Sequence, residues 1–369
     1  MKTRREKRRE RRYLIREVKR LKFLSKYNNF NILTNFKNLY NSAIKASKGV
    51  KWKASVQRYL NSILIRVFNT QQDLFNRKDI RKGFIEFKIN ERGKTRDIKS
   101  VYFSERVVQK NLCKNILYPL FTRSLIYDNS ASQKYKGTHF SLSRLQKHLS
   151  KYYRKYGNDG YILLIDFSKY FENIDHTILK EYYRKFIFDK DILKYVDLFV
   201  DAFGDKGLGL GSETSQLHAI LFPNYIDHYI KEVLKIKYYG RYMDDSYILC
   251  NDKSKLNKIL GILKSLYSKF NISINIKKTH IFKIKNSFTF LKTRFRVLSS
   301  GKILKRPCRK YITVERRKLK KLIKMFENNA ITLQQISINL ISWIGSMSRR
   351  NAKTIYSMYK TAYNRIYKA

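Results

Sequence analysis

A chain of 369 residues with 43% apolar and 14% aromatic content can bury two or three packed cores, which excludes a disordered polymer. Its 80 Lys and Arg against 28 Asp and Glu leave a formal charge of +52, spread along the whole length. That excess is far beyond what solubility needs, so it calls for a polyanionic partner; nucleic acid is the natural candidate and an anionic membrane surface the competitor.

No run approaches the roughly 18 apolar residues of a spanning helix, and no apolar signal segment follows the basic N-terminus. The sequence therefore reads as a cytoplasmic protein that uses no membrane. Cys113, Cys250 and Cys308 are scattered and odd in number, which argues against a disulfide framework or a zinc site. None of the six histidines forms an i, i+4 pair around a Glu, so a zinc hydrolase is disfavoured.

Met1 to about Leu24 is mostly Arg and Lys, with Leu14, Val18 and Leu21 at i, i+4 and i+7, the pattern of a basic helix with one apolar face. Its plain reading is a solvated arm and its functional one a phosphate-tracking arm. From about Asn31 to Phe75 the pattern stays helical. "GFIEFKINERGKTRDIKSVYF" (Gly83 to Phe103) alternates apolar and polar residues, which predicts a β-hairpin with Gly93 in the turn and with Lys88 and Arg96 exposed.

"YILLIDFSKYFENIDH" (Tyr161 to His176) begins as a continuous apolar run, the signature of a strand buried on both faces, and Asp166 emerges at its end. A helix follows from about Thr177. "GLGLGSETSQ" (Gly207 to Gln216) is a Gly-rich loop; it lacks the Gly-Lys-Ser/Thr of a P-loop and the βαβ setting of a dinucleotide site. The next helix carries Leu217, Ile220, Leu221 and Tyr225 on one face, and Pro223 predicts a kink in it. The last 70 or so residues show helical periodicity: Leu319, Leu322, Ile323 and Phe326, then Ile336, Leu340, Trp343, Ile344 and Met347, then Ile355, Tyr359, Ala362 and Ile366.

"GRYMDDSYILC" (Gly240 to Cys250) sets Asp244 and Asp245 between β-prone flanks, which predicts a hairpin whose tight turn carries both carboxylates. Asp is a common turn residue, so this stretch alone is compatible with a plain turn. Asp166 adds a third carboxylate at the edge of a core, where burial is costly unless compensated. If strand and hairpin lie side by side, like charges converge and raise one another's pKa. Divalent cations resolve that conflict: Mg²⁺ takes oxygen ligands, and a pair of ions about 3.5–4 Å apart suits an in-line phosphoryl displacement. Phosphoryl transfer at a nucleic-acid end accounts for the acidic cluster and the basic mantle together.

The order "IDFSKYF", "LGSETSQ", "RYMDD", "NIKKTHI", "FTFLKTRF" resembles the successive palm motifs of a reverse transcriptase, and "RDIKSVYFSERVVQKNL" and "SQKYKGTHFSLSRL" resemble its fingers. Within that family the chain resembles the bacterial enzymes of retrons, diversity-generating retroelements and antiphage defence. The resemblance implies an α+β right-hand polymerase fold: a basic helical N-terminal extension (1–75), fingers (76–160), a palm with an antiparallel sheet (161–297, with a fingers insertion near 183–206) and an α-helical thumb (298–369). It implies RNA-directed DNA synthesis with two Mg²⁺ ions, Mn²⁺ being an alternative. The partners implied are an RNA template, a dedicated structured RNA among the candidates, the DNA product and dNTPs, with an accessory protein or a second copy of the chain as further ones.

Carried over by position, Asp166, Asp244 and Asp245 hold the metals with the backbone carbonyl of Phe167, Asp244 being the second bridge between the ions and Asp245 the more peripheral carboxylate. Lys278 is the general acid for the leaving pyrophosphate, with Lys277 as the alternative. Lys88 and Arg96 grip the triphosphate, although Lys88 also reads as a solvated strand residue. Phe171 falls where the family has an aromatic gate against the ribose 2′-hydroxyl, or else packs in a core. Leu210, Gly211 and Gln216 line the incoming nucleotide; Leu210 stands where many relatives have Gln, which implies looser discrimination. Ser215, Tyr242, Met243, Lys292 and Arg294 are placed against nucleic acid, the last two on a primer-grip hairpin. The expectation is that no RNase H domain follows the thumb. Two rivals stand beside this expectation: untemplated or protein-primed DNA synthesis in defence, and a catalytically silent RNA-binding scaffold of maturase type.

Overall fold

In the computed structural model, which describes residues 3–91, 94–348, 350, 357 and 360, the strands form three antiparallel sheets among helices. The class is the expected α+β. The chain divides into two compact, discontinuous units, one of residues 1–126, 169–228 and 266–273 and the other of residues 127–168, 229–265 and 274–369. No helix among the described residues is long and apolar enough to cross a membrane.

The first unit opens with the basic helix Arg4–Tyr27, started by a capping box in which Thr3 and Glu6 bond each other's backbone N–H groups. Leu14, Val18 and Leu21 are exposed, and only Leu24 of this helix is buried. Helices Phe36–Ala46, Ile63–Phe75 and Phe103–Leu112 bury Leu39, Ala43, Val67, Leu74, Val108 and Leu112, apolar positions recurring at helical spacing. β1 (Phe84–Glu91) and β2 (Lys94–Val101) form the expected hairpin; Gly93 lies outside the described residues. Asp175 caps helix His176–Tyr183 by accepting from Ile178 N at 3.0 Å. At Pro223 the expected kink is a full break: helix Glu213–Leu221 ends and Asn224–His228 starts anew.

The second unit is built on a four-stranded sheet ordered β4-β5-β3-β6: β3 (Tyr161–Ile165), β4 (Tyr239–Tyr242), β5 (Asp245–Cys250) and β6 (His280–Lys283). β3 is central, which is why its sequence is apolar throughout. Helix Thr138–Tyr156 supplies Leu142, Leu145, Leu149 and Tyr152 to the core beneath, where they join Ile162, Tyr247, Leu249, Phe288 and Phe295. β7 (Phe288–Phe290), β8 (Thr293–Val297) and β9 (Ile303–Pro307) form a second sheet in this unit. β9 lies in a stretch for which the sequence suggested no strand; pairing with β8 hides Ile303 and Pro307 while Lys305 and Arg306 stay nearer the surface. Helices Arg309–Glu327 and Leu333–Met347 then pack through Ile336, Leu340, Trp343 and Met347 against Leu319 and Leu322. Ile355, Tyr359, Ala362 and Ile366 lie outside the described residues.

Candidate active site

Sheet register brings three of the predicted residues to the tip of β3. Ile165 pairs Ser246 of β5, and Leu164 pairs His280 of β6. Continued one pair past Ile165, the β3–β5 ladder sets Asp166 beside Asp245, while on the other flank the chain leaves the β6 ladder for a turn (276–278) from which Lys278 reaches Asp166. Lys278 Nζ meets Asp166 Oδ2 at 2.7 Å. The backbone past β3 is held as well: Asn275 N donates to Asp166 O at 2.8 Å, and Phe167 bridges Ile274.

The turn between β4 and β5 holds two residues, Met243 and Asp244, because Tyr242 pairs Asp245. The expectation of both aspartates in the turn is thus corrected: Asp244 sits in it and Asp245 opens β5, where the ladder fixes its direction. Met243 takes a left-handed φ of 54°, which a two-residue hairpin turn demands at its first position and which glycine usually supplies.

The electrostatics follow from this crowding. Burial, then the charges of Asp244 and Asp166, push the Asp245 carboxyl from 3.8 up to about 7, against the lowering effect of Lys278. Its hydrogen bond to Asp166 raises the pKa of Lys278. Of the two neighbouring lysines it is Lys278 that reaches the carboxylates. Among the described residues no three His, Cys, Asp or Glu side chains close into a set able to hold a metal ion. Asp166 instead turns an oxygen to the Lys278 ammonium. The donor chemistry nevertheless fits a hard divalent cation: three carboxylates, one of them close to holding its proton at neutral pH, carry more negative charge than a single lysine offsets.

In the first unit, Phe171 begins a short 3₁₀ turn (Phe171–Asn173), and the Gly-rich loop folds onto it. Leu208 N donates to Phe171 O at 2.7 Å, and Gly207 N to Ile174 O at 2.8 Å. Gly207 is required there, since its φ is +84° and a Cβ would lie 2.8 Å from Glu172 O. Leu210 is half-buried and Gln216 exposed on helix Glu213–Leu221. Ser215 on that helix is 1% exposed, so its side chain lies in the interior and not on the surface where the sequence reading set it.

A Cβ on Gly211 would come within 3.3 Å of Ile98 in β2. Ile98 and Arg96 share one face of the hairpin, so Arg96 stands on the side facing that loop. Lys88 pairs Asp97, whereas Arg96 pairs Ile89, and adjacent pairs point to opposite faces. The structure therefore separates the two: a ligand on one face of the ribbon meets Arg96 and not Lys88, whose Nζ lies 3.9 Å from Asp97 Oδ1.

In the second unit Tyr242 and Met243 are half-buried, the Tyr242 hydroxyl accepting from Thr138 Oγ1 at 3.4 Å. Arg294 is exposed on the outer face of β8, and Lys292 is exposed in the β7–β8 turn at φ 60°. Arg241, which the sequence reading left without a role, is wholly buried and the largest such side chain described. A charged residue beside a turn reads as a surface residue, and only the depth of β4 reveals otherwise.

The family model described as reverse transcriptase (RNA-dependent DNA polymerase) matches residues 76–295. No curated protein matches the chain by sequence. Among solved structures, similarity extends to telomerase from Candida albicans in complex with a TWJ fragment of telomeric RNA, at 12% identity and a TM-score of 0.50, covering 82% of this chain and 60% of that one. Apo telomerase from Candida tropicalis is similar at 14% identity and a TM-score of 0.46, covering 62% of this chain and 49% of that one. Its form truncated from the C-terminal domain gives 15%, 0.47, 60% and 54%. At such identities the likeness is one of fold alone, and the chain spans between about half and three fifths of those telomerases.

Proposed function

The chain belongs to the reverse transcriptase (RNA-dependent DNA polymerase) family, whose members are nucleotidyltransferases, and on that premise we propose that it extends a primer 3′ end with dNTPs along an RNA template. The observation that carries the proposal is the meeting of Asp166 with Asp245, by strand register, and with Lys278, by an ion pair of 2.7 Å, with Asp244 in the adjoining turn. Asp166, Asp244, Asp245 and the Phe167 carbonyl would hold Mg²⁺, two ions, or Mn²⁺ in its place. Bound there, the cations supply charge neutralisation for the attacking and leaving oxygens of an in-line displacement.

The chain's own groups do the rest. Lys278, kept protonated by Asp166, carries the proton that the leaving pyrophosphate takes up. Arg96, on the hairpin face that looks to the Gly211 loop, grips the triphosphate as a planar fork. Phe171, pinned through its carbonyl by Leu208 N, stands against a ribose 2′-hydroxyl. Leu210 offers no polar contact to the incoming nucleotide, so discrimination between bases is loose. The +52 charge and the exposed Lys292 and Arg294 hold the template and product backbones. The template is a dedicated structured RNA of a bacterial retroelement or antiphage system acting in the cytoplasm; what supports the retroelement part is the resemblance of "LGSETSQ" to the motif of diversity-generating elements.

Purified protein is expected to extend a primed RNA in Mg²⁺, and Asp244→Ala with Asp245→Ala to abolish extension. A double variant with full activity overturns the assignment. Sequencing product made with and without added RNA separates templated from untemplated synthesis.

A further inference from the structure

We infer that Arg241 is a positioning residue that fixes the peptide carrying Asp244, and so holds the metal-binding turn at working height. The inference rests on the reading of Asp244 as a metal ligand and deepens it. Arg241 is 0% exposed, and an arginine is taken out of water only where its donors are used. Its Nη1 donates to Met243 O at 3.0 Å. That oxygen belongs to the peptide whose nitrogen is Asp244's own. Holding it fixes the peptide plane, and with it the direction in which the Asp244 side chain leaves the backbone.

The turn needs such a hold. Met243 has a φ of 54° without being glycine, a conformation that L-residues abandon readily unless the surroundings impose it. Arg241 is itself clamped at the backbone. Its N donates to Asp128 O at 3.1 Å, and its O accepts from Ser130 N at 3.0 Å and from Ser130 Oγ at 3.1 Å. The strap that supplies those bonds is anchored in turn, because the Asp128 carboxylate is gripped by Arg144 Nε at 2.6 Å and by Lys231 Nζ at 3.0 Å. A continuous line of polar contacts thus runs from that ion cluster through Ser130 and Arg241 to the Asp244 peptide. Every member lies in the second unit.

The test reads metal binding directly as well as turnover. In the full chain, Arg241→Met keeps the side-chain volume and removes the donors. Affinity for Mn²⁺, measured by electron paramagnetic resonance on protein without nucleic acid, should fall about 10–100-fold, the usual cost of losing an outer support of a metal ligand. The kcat of primer extension should fall by a similar factor, while the KM for dNTP moves less than about threefold. Arg241→Lys, which keeps one donor, should recover part of both losses. Ser130→Ala, which loosens only the clamp, should weaken Mn²⁺ binding about two- to fivefold. Wild-type Mn²⁺ affinity in Arg241→Met overturns the inference. Should that variant not fold, wild-type affinity in both Arg241→Lys and Ser130→Ala overturns it equally. Wild-type protein that binds Mn²⁺ yet extends no primer refutes the polymerase reading and leaves Arg241 to be judged by metal affinity.

Discussion

Substituting Asp245→Asn weighs the carboxylate cluster directly. Without divalent cations the Asp245 carboxyl rises from 3.8 to about 7, chiefly through burial and then through Asp244 and Asp166. At ~1.4 kcal/mol per pKa unit, ionising it costs the folded chain on the order of 4 kcal/mol. Below about pH 4 the group is protonated in folded and unfolded chains alike and the substitution changes little. Between there and about 7 only the unfolded chain releases the proton, so wild-type stability falls by about 1.4 kcal/mol per pH unit, and the loss is complete above that range. In EDTA, urea unfolding should therefore show Asp245→Asn to be more stable than wild type by up to about 4 kcal/mol at about pH 8, and near parity at about pH 4. Excess Mg²⁺ should stabilise the wild-type chain more than the variant, since the cation relieves the repulsion that the amide lacks. A stability difference that is the same at both pH values refutes the buried and crowded setting of the Asp245 carboxyl.

Gly207→Ala should destabilise the first unit by about 1–3 kcal/mol, from its left-handed φ and the Glu172 carbonyl in the way; a thermal melt unchanged from wild type contradicts the loop geometry. Lys292→Ala with Arg294→Ala should flatten the slope of log K against log salt for RNA–DNA duplex binding by about 1.4–1.8, at roughly 0.7–0.9 for each phosphate no longer neutralised. An unchanged slope removes that hairpin from the nucleic-acid surface.

The parts of the site that could be read in the sequence are those whose signal is local. Asp166 stands out because five apolar residues precede it, and Asp244 and Asp245 because β-prone flanks enclose them. The hairpin of Lys88 and Arg96 is legible from alternation alone, yet their opposite faces need the pairing register, which a one-residue slip would invert. Ser215 misleads for a related reason: a serine in a polar loop motif looks accessible until the helix it belongs to is packed. β9 escapes notice because two cations in five residues mask its apolar ends, and only β8 turns those ends inward.

What the sequence could not show is how a highly basic chain holds three carboxylates together before any metal arrives. The structure answers with two cations of different kinds. Lys278 is largely exposed and bonds Asp166 directly from the solvent side. Arg241 is buried, bonds a backbone carbonyl and has no water to retreat to, so it stays. One cation pairs with a carboxylate of the proposed metal site, and the other, on our inference, fixes the turn beside it. Their separations from Asp166 along the chain, 112 and 75 residues, explain why no local pattern announces either role (278 minus 166; 241 minus 166).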